Sequence, residues 1–141
     1  MNQFLIFWPM IAMAGLTLIV AVHMYRTRVA EMRERRVHPQ LLATRQDAEK
    51  LLHNTQGSDN FRNLFEIPVL FYAICPVLFL TGNVTPLQLS LAWAFVLTRV
   101  IHSFVHVTYN KVMHRFNAFI LGMAAVFAMW ATLAWQLARG G

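Results

Sequence analysis

The sequence predicts an all-α membrane protein, a four-helix transmembrane bundle, and three observations lead there. The chain of 141 residues is 57% hydrophobic and only 13% charged, well under the ~25% charged content of soluble domains. That charge is unevenly spread: Phe4 to Val22 and Phe116 to Ala138 carry none, and each run is close to the ~20 residues that cross a hydrocarbon core. Between them lie two shorter apolar runs, Ile67 to Thr81 and Pro86 to Thr98. The expected organisation is one domain over residues 1–141, with spans at about 4–25, 61–82, 86–109 and 116–138 and a basic loop over 26–60.

The first span carries Ala12-Met13-Ala14, which resembles a signal-peptide cleavage site. No basic residue precedes the apolar run, however, and the run continues well past the supposed cut, so a retained first helix is expected. "YRTRVAEMRERR" extends that helix beyond the membrane with charges all round, until Val37-His38-Pro39 breaks it. "LLATRQDAEKLLH" reads as a short surface helix, and after the turn cluster "NTQGSD" either Ser58 or Asp59 is placed to cap the next helix.

The second apolar run is too short to cross alone, so its helix must draw in Phe61 to Glu66. Arg62 and Glu66, four apart, then share a face with Asn63 beside them at the membrane boundary. Pro68 and Pro76 are expected to kink this helix without ending it. Cys75, the single cysteine, lies inside the span as a small packed hydrophobe, and no intrachain disulfide is possible.

The third helix starts at Pro86 and must reach about Tyr109 to cross. Arg99 is ten residues from that inner end, or ~15 Å at helical rise, which is near mid-depth. "RVIHSFVHVTY" puts Arg99, His102 and His106 at i, i+3 and i+7 on one stripe, with Tyr109 following. A lipid-facing arginine at the bilayer centre costs ~2.5 kcal/mol or more, so the stripe points into the bundle or a polar cavity. From Phe61 to the C-terminus the only acidic residue is Glu66, against Arg62, Arg99, Lys111 and Arg115. A closed salt-bridge network needs more carboxylates than that. At least one arginine therefore requires an outside anion, a cluster of backbone carbonyls or another subunit, and an anion-binding pocket open to the cytoplasmic side is inferred.

Orientation follows from the basic residues. Arg26, Arg28, Arg33, Arg35, Arg36, Arg45 and Lys50 lie in the first connection, and Lys111 and Arg115 in the third. The positive-inside rule puts both connections in the cytoplasm and both termini outside. The net charge of +6 is explained by this topology, and no nucleic-acid partner is indicated because basic and aromatic residues do not interleave on a soluble surface. No metal site is expected: His102 and His106 lack converging ligands, and His23 and His114 have no reason to join them. Taken alone, Arg62–Glu66 equally fits an ordinary helix pair at headgroup level, and Lys111 and Arg115 fit topogenic, lipid-phosphate-binding residues. Arg99 at depth resists such readings.

"RNLFEIP" at the start of the second membrane helix resembles the Arg-Asn-x-x-Glu motif, followed by proline, of the MAPEG family (membrane-associated proteins in eicosanoid and glutathione metabolism). "RVIHSFVHVTYNKVMHRF" is similar to that family's third helix and following loop, and the resemblance covers essentially the whole chain. It implies a homotrimer of four-helix subunits with glutathione as co-substrate, bound between subunits near the cytoplasmic side. By the same resemblance Arg62, Asn63 and Glu66 hold the peptide's charged ends, Arg99 and His102 are third-helix ligands, and Arg115 is the catalytic arginine near the thiol. Arg26 or Arg28 matches a first-helix arginine. The wording of both motifs looks most like bacterial members, which implies a bacterial inner membrane. Two positions depart from the eicosanoid enzymes: His106 stands in place of a tyrosine, with Tyr109 one turn further on as a partial replacement, and Phe116 stands where the prostaglandin E synthase type has serine. The reading is thus a glutathione-dependent membrane transferase or peroxidase acting on lipophilic electrophiles or lipid hydroperoxides. Its rival is a non-catalytic subunit of the same fold, binding lipid or assisting assembly. A weaker third is a proton or ion pathway through Arg99, His102 and His106.

Overall fold

A short 3-10 turn, Gln3–Ile6, leads into the first long helix, α1, Phe7–Arg35. The computed structural model describes residues 1–52 and 56–140, apart from the side chains of Arg45 and Glu49. In chain order the remaining helices are α2 Arg45–Leu51, α3 Gln56–Asn63, α4 Ile67–Leu80, α5 Pro86–Val107 and α6 Val112–Ala138, with a second 3-10 turn at Pro39–Leu42. Four stretches are long and apolar enough to cross a membrane: Gln3–Arg35, Gln56–Leu80, Pro86–Val107 and Val112–Ala138.

The helix ends show why the boundaries fall where they do. α1 stops at Arg36, whose φ of 54° is left-handed, before the His38-Pro39 pair is reached. The amides of Arg36 and Val37 turn back to the carbonyls of Arg33 and Met32, closing the end without a glycine. Thr44 caps α2 by accepting the Asp47 amide at 3.2 Å, and Thr85 caps α5 by accepting the Gln88 amide at 3.2 Å, ahead of Pro86 at a position where no amide is needed. Ser58 and Asp59, expected as caps, lie inside α3 instead.

The second span differs from expectation in one respect. It is two helices, α3 and α4, separated at Leu64–Glu66, where Glu66 adopts φ −93° and ψ −99°. Pro68 is the cause: its ring excludes the carbonyl four residues back, at Leu64, and it disfavours helical backbone at Ile67. Pro68 sits in the first turn of α4, so it starts a helix rather than kinking one, whereas Pro76 is carried inside α4.

α5 and α6 pair along their length, and α1, α3 and α4 pack around them. The core is Ile6, Met13, Phe71, Ile74, Cys75, Leu78, Phe95, Val126 and Met129, with the rings of Phe71 and Phe95 stacked at 4.6 Å. Gln3 Oε1 accepts the Val84 amide at 2.9 Å, so the N-terminus and the α4–α5 turn lie at one end of the bundle. Toward that end Gln88 Nε2 donates to Thr132 Oγ1 at 2.7 Å and to the Met129 carbonyl at 3.1 Å, tying α5 to α6. At the other end α3 lies against α1, where a Cβ on Gly57 would meet Met24 Cα at 3.1 Å.

Candidate functional site

Arg99, His102, Ser103 and His106 are all buried, forming one polar stripe on the inner side of α5. The expectation that the α5 cation points inward holds: Arg99 is 0% exposed. Its guanidinium lies between the rings of Phe95 and Phe119, at 5.1 and 5.0 Å from their centroids, and Nη2 donates to the Phe119 carbonyl at 3.2 Å. Ring faces attract a desolvated cation by up to ~2 kcal/mol or more. Nε and Nη1 have no partner. Gly122 makes the space, since a methyl there would come within 2.7 Å of Thr98 Oγ1 and 2.8 Å of Arg99 Nη2.

One to two turns further, two histidines converge on Arg115, in the first turn of α6. His102 Nδ1 lies 3.1 Å from the Arg115 carbonyl. A carbonyl can only accept, so Nδ1 carries the proton, leaving Nε2 of the neutral ring to accept from Asn63 Nδ2 at 3.5 Å. His106 Nε2 is 3.1 Å from Arg115 Nη1. Arginine can only donate, so this nitrogen is unprotonated and the proton is on Nδ1. Arg115 Nη1 also donates to Asn110 Oδ1 at 2.5 Å. On the α3 side Asn60, 0% exposed, accepts from Ser103 Oγ at 3.1 Å.

The structure therefore gathers Asn63, His102, His106 and Arg115 into one bonded cluster, with Arg99 one turn deeper. The other expected residues stand apart. Arg62 and Glu66 straddle the break, with Nε and Oε1 4.0 Å apart and side chains 59% and 49% exposed, a loose pair on the surface of the chain. Tyr109 is 51% exposed, and its hydroxyl meets His114 Nδ1 at 3.1 Å rather than the cluster. Arg28 is half-buried on the extension of α1. The cluster also contains residues that sequence reasoning passed over: Asn60, Ser103, Asn110, Phe119 and Gly122. Ser103 was findable, being four residues after Arg99 and so on its stripe. Asn60, three before Asn63, was likewise findable on the α3 side. Among the described residues no three His, Cys, Asp or Glu side chains converge as a metal-holding group.

Four apolar spans, an inward arginine on the third, an asparagine of the second reaching that helix's histidine, and an arginine opening the fourth make a specific combination. The sequence model of the MAPEG family matches residues 6–135. The chain belongs to the MAPEG family. It is accordingly an integral membrane protein, in a family that includes glutathione transferases and peroxidases as well as non-catalytic members. Among curated proteins and among solved structures, none matches this chain. In this MAPEG chain the cations of the cluster bond only to neutral groups, and among the described residues neither Arg99 nor Arg115 is in an ion pair.

Proposed function

We propose that this MAPEG protein is a glutathione-dependent transferase or peroxidase, acting on lipophilic electrophiles or lipid hydroperoxides that enter from the bilayer. The observation that carries the reading is Arg115: a cation fixed through one nitrogen by the neutral acceptors His106 and Asn110. Neutral partners leave its charge uncompensated, and a nearby cation favours the thiolate of a thiol whose free pKa is ~8.5. Asn63, His102 and Arg99 would position the tripeptide, and the exposed Arg62 and Glu66 would meet its charged ends where subunits of a homotrimer adjoin. Arg28 and Tyr109 take the rim. Glutathione's two carboxylates suit a cleft rich in arginine and poor in acid. The thiol proton leaves to water, and the sulfur then attacks the electrophilic carbon as the leaving group departs. With a hydroperoxide, sulfur takes the terminal oxygen, the O–O bond breaks, and the alkoxide is protonated to an alcohol. A second glutathione then forms the disulfide and water.

The test is glutathione binding to the purified protein in detergent by calorimetry, with ultraviolet difference absorbance for the thiolate, for wild type, Arg99→Ala and Arg115→Ala. Saturable binding with a thiolate signal lost in Arg115→Ala is expected; no binding at millimolar glutathione would sink the reading. A second reading, a non-catalytic lipid-binding or assembly subunit, is favoured by one feature of α1. An open groove of ≈ 860 Å³ runs along Leu18, Ile19 and Val22 to His23 and Arg26, a shape suited to an acyl chain ending in a phosphate. Phospholipid retained through purification and released by Arg26→Ala, without glutathione binding, would favour it.

A further inference from the structure

The turn between α5 and α6 contains Asn110 at φ 50°, in the left-handed region that asparagine tolerates better than most residues. Its amide returns to the Val105 carbonyl at 2.8 Å, closing the end of α5. Its side chain faces Arg115, five residues on, and accepts from Nη1 at 2.5 Å. One residue thus sets both the path of the chain into α6 and the place of the guanidinium at its start. His106, the last residue of α5's polar stripe, takes the same nitrogen from the other helix.

We infer that Asn110 is a positioning residue for Arg115, holding Nη1 so that the opposite edge, Nε and Nη2, is presented to an anionic ligand. Among the described residues Nη1 is the only nitrogen of that guanidinium with a bonded partner. The amide is the right chemistry for the task, because a carboxylate at the same place would fix the arginine equally well but neutralise it. The consequence for a bound thiol rests on the glutathione reading; the positioning itself does not.

Two variants separate these statements. Asn110→Gly keeps the left-handed turn at no steric cost and deletes the acceptor. Asn110→Asp keeps an acceptor and adds a charge. In the full-length protein in detergent, nitrogen-15 spectra of the arginine guanidinium groups, with the Arg115 signal assigned by its loss in Arg115→Lys, report restricted rotation independently of any ligand. A restricted Arg115 signal in wild type and Asn110→Asp that becomes averaged in Asn110→Gly is expected. An unchanged signal in Asn110→Gly overturns the inference. With glutathione added, both variants should lower the bound thiolate-to-thiol ratio about tenfold or more, the scale of one hydrogen bond to a charged group. A thiolate fraction undiminished in Asn110→Asp also overturns the inference. Should wild type itself bind no glutathione, the proposed function falls while the spectra still decide Asn110.

Discussion

Arg99 shows how a single side chain can be costly to stability, and under the glutathione reading it would be valuable to binding. Its burial with one carbonyl, two ring faces and two unpartnered nitrogens leaves much of the desolvation cost uncompensated. Replacing a buried charge by an apolar group of similar shape is often neutral or stabilising. Arg99→Met should therefore leave the thermal midpoint in detergent unchanged or raised, while glutathione affinity falls about tenfold or more. A midpoint that drops steeply would mean the guanidinium is structural. Gly122→Ala tests the same contact from the other side. Its methyl would press on Thr98 and Arg99, and overpacking of this kind costs about 1–3 kcal/mol, to be read as a lowered unfolding midpoint. The depth of Arg99 was legible in the sequence because a charge in the middle of an apolar run has few places to go. The role of Asn110 was not, since a positive φ is decided by the closure of a turn and no periodicity announces it. Tyr109 illustrates the converse: its spacing after His106 put it on the stripe, but α5 ends at Val107 and the chain turns it outward to His114.

At the level of elements, the division of the second span is the feature that pattern alone misjudged. Hydropathy gives length, and the length demanded Phe61 to Glu66; only the local sterics of Pro68 say that the helix restarts. Pro68→Ala should let α3 and α4 join through Leu64–Glu66. The amides of those residues would then exchange with solvent more slowly, measured by hydrogen–deuterium exchange with mass spectrometry. No slowing there would show that the break has another cause. Joining the helices would also rotate Asn63 relative to His102, and the 3.5 Å contact between them is, beside the Asn60–Ser103 bond, a link by which α3 reaches the cluster. The short α2, by contrast, followed from local signals, because Thr44 and Asp47 form a capping pair that needs no tertiary help.

For the whole molecule, the N-terminus and the α4–α5 turn share one end of the bundle, and the basic residues predict that this end is extracytoplasmic. Sidedness can be measured directly because Cys75 is buried and gives little background. A cysteine placed at Gln40 should react with a membrane-impermeant maleimide only from the cytoplasmic face, and one at Gly140 only from the opposite face. The reverse labelling pattern would invert the orientation. Finally, the interruption at Leu64–Glu66 has a bearing on where the solvent ends. Peptide groups released from a helix cannot remain bare in hydrocarbon, and irregular backbone is found at membrane depth only where protein covers it or water reaches it. Phe65 and Glu66 are exposed on this chain, so either water or another protein surface must meet the backbone at this point. Either way polar matter is brought beside Asn63 and His102, at a place where an unbroken apolar helix would have met only lipid.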